Sequence, residues 1–136
     1  MELIKKLTVE EKLSEIILEE GICLSMAGIY YQSVEILAKL EKRKNLKIGD
    51  NLTLINCLGI AYLNIHQIDL ALNYFLKAIE LKSRLTYRHD LLKAYHNLGL
   101  TYAWLGNFKQ STNAYEQSIS LAKELKILPL ALTFNN

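Results

Sequence analysis

Apolar residues recur every three or four positions along most of this chain, which is the period of one face of an α-helix. Short breaks that contain glycine, asparagine or charged residues separate the apolar runs. Six helices are predicted, with approximate bounds 8–27, 30–44, 51–65, 68–84, 88–105 and 108–126. Pro129 then opens a segment, 130–136, that is suited to the first turns of another helix. Because no segment shows the alternation of a β-strand, the sequence predicts an all-α fold.

Several residues predict where these helices begin and end. Thr8 and Glu11 have the spacing of a capping box, which predicts the start of the first helix. Asp50 is a plausible N-cap for the third helix. Gly28 is predicted to end the first helix and Gly106 the fifth, since glycine adopts a left-handed cap at little steric cost.

One motif recurs in the first helix of each predicted hairpin. Its glycine returns as Gly21, Gly59 and Gly99, and the last two belong to the same Leu-Gly-x-x-Tyr phrase. A helical glycine costs about 1 kcal/mol relative to alanine, so its recurrence indicates backbones in close contact. The second helices carry small residues that are predicted to face the glycines, and bulkier ones four residues later that fill the wider gap. These are Ser33, Ala71 and Ser111, followed by Leu37, Phe75 and Tyr115.

This pattern resembles the tetratricopeptide repeat, a hairpin with Leu-Gly-x-x-Tyr on one helix and Ala-x-x-x-Phe on the next. The second copy matches at Leu58, Gly59, Tyr62, Ala71, Phe75 and Ala78. The third matches at Leu98, Gly99, Tyr102, Gly106 and Tyr115, and in size at Ser111 and Ser118. The first copy is degenerate, with Glu20 in place of the leucine and Leu24 in place of the tyrosine.

The resemblance implies an α-solenoid of antiparallel helix hairpins that forms a right-handed superhelix, with about three repeats and the start of a fourth. The chain would be one domain, 1–136, with repeats at about 8–48, 50–87 and 88–127 and a further helix from 128. The period of about 40 residues is longer than the roughly 34 residues of the usual repeat. Longer repeats of this kind occur in the kinesin light chain and Leu-Gly-Asn scaffold families and in peptide-sensing bacterial regulators.

In this family the first helix of each repeat lines a concave groove. The resemblance therefore implies a peptide-binding surface with an asparagine ladder along it. The expected peptide-binding residues are Asn56, Ile60, Leu63, Asn64, Lys93, His96, Asn97, Leu100 and Trp104. The first repeat would add Glu15, Leu18, Glu19, Ile22 and Met26, Thr53 would join from the second, and Asn135 and Asn136 would lie beyond the third. Each asparagine could instead be a solvated surface residue, and Trp104 could be a packing residue.

Composition adds little chemistry to this picture. The 16 basic and 14 acidic residues give a net charge of +2, which provides no general attraction to nucleic acid or membrane. The basic run from Lys39 to Lys47 is interpreted as a solvated helix end, with contact to nucleic acid or an acidic partner as the alternative. No signal peptide or membrane span is predicted, and Cys23 and Cys57 are expected to be reduced thiols, so a cytoplasmic location is expected.

The three histidines show no metal-ligand spacing, and no phosphate loop or nucleophile motif occurs, so no enzyme activity, cofactor or metal is predicted. The expected function is a protein-interaction module that holds a peptide or partner helix. Residues 130–136 match those before Leu98-Gly99, so we expect a fragment of a longer scaffold or regulator. Two alternatives stay open: a peptide-sensing segment of a bacterial regulator, and self-association through an uncapped C-terminal end.

Overall fold

Six helices make up the part of the chain that the structure describes, which is residues 2–43, 46–81 and 88–125 of a computed structural model. Their order is α1 Glu2–Met26, α2 Tyr30–Glu41, α3 Ile48–Asn64, α4 Ile68–Glu80, α5 Arg88–Trp104 and α6 Phe108–Glu124. Within these ranges there is no strand, which confirms the all-α prediction. No helix among the described residues is long and apolar enough to cross a membrane.

Two predicted helix starts are wrong. α1 begins at Glu2, so Thr8 lies inside the helix and is not its N-cap. α3 begins at Ile48 after an N-cap at Lys47, and Asp50 lies in the first turn. A carboxylate in the first turn still interacts favourably with the helix dipole, which is why the acidic residue suits this place. The predicted helix at 130–136 lies outside the described residues.

The helices pair as three hairpins, which we call unit 1 (α1–α2), unit 2 (α3–α4) and unit 3 (α5–α6). Each hairpin turns at a residue in the left-handed conformation. These residues are Gly28 at φ 80°, His66 at φ 65° and Gly106 at φ 79°. In each turn that residue and the next donate backbone N–H groups to two carbonyls of the preceding helix, as Gly106 does to Ala103 and Asn107 to Tyr102. The turns predicted at Gly28 and Gly106 are therefore confirmed, and all three have the Schellman geometry.

The recurring glycines mark a close approach of the two helices in each unit, as the sequence predicted, but the bulky residues expected in a wider gap lie directly against them. A Cβ atom on Gly59 would lie 2.5 Å from the Phe75 ring, and one on Gly21 would lie 2.3 Å from Leu37. Ser33 Oγ donates to the Gly21 carbonyl at 2.8 Å. Ser111 repeats this bond to the Gly99 carbonyl at 2.7 Å. Unit 1 therefore has the same internal packing as the others despite its degenerate sequence.

The stack of units curves with the first helices inside. α1 packs on α3, and α3 packs on α5. Among the described residues, the contacts of α2 with α4 and of α4 with α6 are less extensive. Buried clusters run between the units. One combines Leu37 and Leu40 of unit 1 with Leu54 and Leu58 of unit 2. The described first helices therefore form one continuous inner surface.

Long side chains bridge the wider gap on the outer side. The Glu41 carboxylate accepts a 2.8 Å hydrogen bond from the Tyr74 hydroxyl. The same carboxylate pairs with Lys77 at 3.5 Å. The Tyr74 ring also stacks on Tyr62, with 5.5 Å between the ring centroids. Burial, together with the bond to Glu41, raises the pKa of Tyr74 well above its usual value.

Candidate binding groove

A line of aliphatic residues runs along the inner surface. Ile22, Ile60 and Leu100 each follow the repeat glycine of their unit by one residue, and all three are half-buried. Because successive first helices pack side by side, these equivalent positions come into a row. The row is an apolar floor that a ligand could cover, and it includes the predicted Ile60 and Leu100.

A second row lies five residues after each glycine and contains Met26, Asn64 and Trp104. Met26 is 84% exposed and Trp104 is 48% exposed. The Trp104 ring stacks on His66 of the preceding unit, with 6.0 Å between centroids and 23° between planes. Asn64 is exposed and donates from Nδ2 to the Ile60 carbonyl at 2.8 Å. Two large apolar side chains therefore stand at either end of a row whose centre is polar.

Two neighbouring pockets open between α1 and α3. The first has a volume of about 350 Å³ and is mainly apolar; it is lined by Ile22, Ser25, Met26, Tyr30, Cys57 and Ile60. The second, of about 340 Å³, is lined by Glu15, Leu18, Glu19, Ile22, Lys47, Asp50 and Thr53. Ile22 belongs to both, so the pockets form a continuous depression. All five residues expected from the first repeat line it.

The second pocket carries most of the charge. Glu15 pairs with Lys12 and with Lys47, both at 3.5 Å. Glu19 and Asp50 have no ion-pair partner among the described residues. The depression is therefore apolar at one end and bears carboxylates at the other.

The structure corrects two of the expected contact residues. Asn56 is only 4% exposed, and its Nδ2 donates to the Asp90 carbonyl at 3.0 Å. Its Oδ1 is buried and has no hydrogen-bond partner among the described residues. Leu63 belongs to the buried cluster with Ala71 and Phe75. Both side chains pack between helices, so neither is accessible to a ligand.

Asn56 does not line up with Asn97 as the expected ladder of Asn56, Asn97 and Asn136 requires, and Asn136 lies outside the described residues. Asn56 precedes its repeat glycine by three residues and Asn97 by two, so the two side chains leave their helices about 100° apart. Asn56 corresponds to His96, and Asn97 to Cys57. Of these, Asn97 is half-buried and His96 is exposed.

His96 owes its exposure to its place in the stack. Its counterparts Leu18 and Asn56 are buried, and Asn56 bonds to the following first helix. In the described part of the chain no first helix follows α5, so His96 is left uncovered and makes an edge contact with Tyr115 at 5.6 Å. Lys93, the remaining expected residue, is exposed on α5.

Cys57 and Tyr30 line the groove but were not expected there. Burial raises the pKa of the Cys57 thiol to about 11. The charge of Lys93 lowers this pKa and the charge of Asp90 raises it. Cys57 is therefore a neutral, unreactive thiol at physiological pH. Cys57 occupies the repeat position of Asn97, and this equivalence could have identified it as a groove residue. Tyr30 follows the hairpin turn, and no repeat position predicts that it lines the groove.

Three members of the basic run pair with carboxylates in the part of the chain that the structure describes. Arg43 pairs with Glu10 at 2.7 Å and Lys47 with Glu15 at 3.5 Å. Lys39 pairs with Glu35 at 3.6 Å. Within the described ranges, no group of three or more His, Cys, Asp and Glu side chains could hold a metal ion.

The family model that matches this chain is the tetratricopeptide repeat, over residues 50–124, which is more than half of the chain. The chain belongs to the tetratricopeptide repeat family. The matched residues cover units 2 and 3, and the packing at Gly21 extends the same hairpin geometry to unit 1. Tetratricopeptide repeats generally serve as protein–protein interaction modules and are typically not enzymes. No curated protein matches the chain by sequence.

Proposed function

We propose that this protein is a scaffold or regulatory module that binds a peptide or a partner helix in the concave groove. The observation that carries the proposal is the aliphatic row of Ile22, Ile60 and Leu100 at equivalent positions on the inner surface. A continuous apolar floor on a rigid helical wall favours a ligand that presents several apolar side chains along one line.

The flanking residues support this assignment. Met26 and Trp104 are large, exposed and apolar, and such residues often carry much of the binding energy at protein interfaces. Asn64 and Asn97 supply amide groups that can both donate to and accept from a peptide backbone. Glu19 and Asp50 add negative charge at one end, which favours ligands with a basic residue there.

The test begins with selection of binders from a phage-displayed library of random peptides on the immobilised protein. A selected peptide is then resynthesised with a fluorescent label and titrated by anisotropy. We expect Met26→Glu and Trp104→Ala each to weaken binding about tenfold, or about 1.4 kcal/mol, because each removes an apolar contact. Asn97→Ala should weaken it less. In the unmodified protein, quenching of Trp104, the single tryptophan, should follow the same curve.

The matched control is Tyr31→Glu. Tyr31 is large and 75% exposed, but it lines neither groove pocket and its counterparts, Asp69 and Lys109, are polar. Binding to this variant should equal that of the unmodified protein. If Met26→Glu and Trp104→Ala both bind as tightly as the control, the groove is not the binding site.

A further inference from the structure

A small pocket lies between α5 and α6, among residues of the cluster that joins units 2 and 3. Its volume is about 200 Å³, and its apolar lining is formed by Tyr95, Leu98, Tyr102 and Ala114. Leu98 and Tyr102 each lie two residues from Leu100 along the helix, which is about 200° around its axis. The pocket is therefore on the opposite side of α5 from the groove.

A tyrosine ring fills the equivalent place in unit 2. Tyr74 occupies the position in α4 that Ala114 occupies in α6. Its ring stacks on Tyr62, the counterpart of Tyr102, with 5.5 Å between centroids and 13° between planes. It also packs on the buried cluster that contains Leu58. Because unit 3 has alanine at this position, it lacks the ring and has a pocket where the ring would lie.

The polar partners of that ring also differ between the two units. The Tyr74 hydroxyl donates to the Glu41 carboxylate at 2.8 Å, and Lys77 pairs with the same carboxylate at 3.5 Å. One unit later the corresponding residues are Ile79 and Gln117, so neither position carries a charge. A phenol hydroxyl would lose its carboxylate acceptor here, whereas an unsubstituted phenyl ring needs none.

The size of the pocket suits one such ring. An apolar protein cavity of about 150 Å³ stays dry and binds benzene, so a volume of about 200 Å³ is sufficient for a phenyl group. Gln110, Asn113 and Gln117 complete the lining and are exposed, so the pocket opens to solvent. Their amides can both donate to and accept from a peptide backbone at the opening.

We propose that this pocket binds the phenylalanine side chain of a partner protein, in the place that the Tyr74 ring fills in unit 2. Tetratricopeptide repeats generally serve as protein–protein interaction modules, and amides at the opening suit a ring that is attached to a peptide backbone. The site shares no contact residue with the groove pockets, so it does not depend on peptide binding there.

The test titrates the protein with N-acetyl-phenylalanine N-methylamide and follows its alanine methyl signals by NMR. We expect a Kd on the order of 1 mM, because a phenylalanine side chain buries about 150–250 Å². The Ala114 methyl should shift most, since the ring would lie against it. The leucine and tyrosine counterparts of the probe should bind at least about threefold more weakly, because leucine cannot stack on Tyr102 and the tyrosine hydroxyl lacks its acceptor.

Ala114→Phe supplies the ring covalently, so it should abolish binding of the probe and raise Tm. The matched control is Glu116→Phe, which adds the same ring to α6 at an exposed position that does not line the pocket. Binding of the probe to this control should equal that of the unmodified protein. Circular dichroism checks that both variants are folded.

Binding that persists in a folded Ala114→Phe variant overturns the proposal, and so does equal binding of the leucine probe. Equal binding of the tyrosine probe overturns the choice of phenylalanine. If Ala114→Phe does not fold, the unmodified protein decides, and a larger shift at any other alanine methyl rules the pocket out. Toluene is the last probe: if it shifts Ala114 and the capped amino acid does not, the pocket takes a free aromatic molecule and not a partner's side chain.

Discussion

Gly59 has no room for a larger side chain. A Cβ atom there would lie 2.5, 2.8 and 2.9 Å from three atoms of the Phe75 ring. Phe75 is 0% exposed, so neighbouring side chains hold its ring in place. Gly99 has the same relation to Tyr115 at 2.9–3.0 Å, but the Tyr115 ring is only half-buried and can shift outward.

Gly59→Ala should therefore destabilise the protein more than Gly99→Ala. Overpacking of a buried site costs about 1–3 kcal/mol, against about 1 kcal/mol gained in helix propensity. We expect a net loss of up to about 2 kcal/mol at Gly59 and little change at Gly99. Urea unfolding of both variants measures the difference, and Phe75→Leu should relieve the clash in a double variant. Equal losses at the two glycines would contradict the explanation.

Gly59 and Asn56 differ in how far the sequence predicts their surroundings. The recurrence of Gly59 predicted that the two helices of its hairpin approach closely, although the Phe75 ring, expected in a wider gap, lies directly against the glycine. The burial of Asn56 was not predictable in the same way. It depends on the approach of α5, 34 residues away along the chain, whose Asp90 carbonyl accepts its amide. Local periodicity does not determine which polar residue a neighbouring unit will cover.

The three hairpin turns share one backbone conformation although their sequences differ. In each, the left-handed residue lies seven positions after the repeat glycine, at Gly28, His66 and Gly106. His66 is the exception, since a residue with a Cβ in this conformation is strained by about 1–2 kcal/mol. Its imidazole stacks on Trp104, which offsets part of that strain.

His66→Gly should consequently be more stable than His66→Ala by about 1 kcal/mol. Both variants lose the ring contact with Trp104, but only the alanine retains the steric strain at φ 65°. Thermal unfolding compares the two, and the emission of Trp104 should change to a similar extent in both. Equal stability of the glycine and alanine variants would mean that the turn carries no strain.

Differences between the units lie outside these turns. The distance from the repeat glycine to the small residue of the second helix is twelve positions in every unit, as for Gly21 and Ser33. The interval from Gly59 to Gly99 is slightly longer than that from Gly21 to Gly59, and the extra length must therefore fall in the second helices and the connections between units. α2 has 12 residues and α4 has 13, so part of the extra length lies in the second helix.

Packing of the helices holds the Cys57 thiol and the Tyr74 hydroxyl in their neutral forms. Burial raises the pKa of the Cys57 thiol to about 11, and burial together with the bond to Glu41 raises the pKa of Tyr74 above its usual value. In the unfolded chain both groups would ionise at lower pH. Between about pH 9 and about pH 11 the unfolded state therefore binds fewer protons than the native state, so the free energy of unfolding falls as pH rises.

Alkaline pH should lower the stability of the protein through Cys57. The loss attributable to this thiol should reach at most about 3 kcal/mol, since one pKa unit corresponds to about 1.4 kcal/mol. Urea midpoints measured from about pH 8 to about pH 11 should fall less steeply in Cys57→Ala than in the unmodified chain. Cys23→Ala is the control variant, because Cys23 is exposed. A Cys57→Ala variant with an unchanged slope would show that the thiol is not linked to folding.

The sequence alone determined the hairpins. Their helices, the left-handed turns at Gly28 and Gly106 and the close approach at the repeat glycines depend on residues within about 20 positions of one another, and helical periodicity and backbone sterics act over that range. It also indicated the inner row of Ile60 and Leu100, since equivalent positions in a repeat share one face.

Only the tertiary structure decided which of those residues are accessible. Packing of consecutive units buried Asn56 and Leu63, left His96 uncovered and opened the groove pockets beside Ile22. It also separated the buried Leu54 from the exposed Ile16 at the same repeat position. Exposure is a property of what lies across from a side chain, and in a stack that neighbour belongs to another unit.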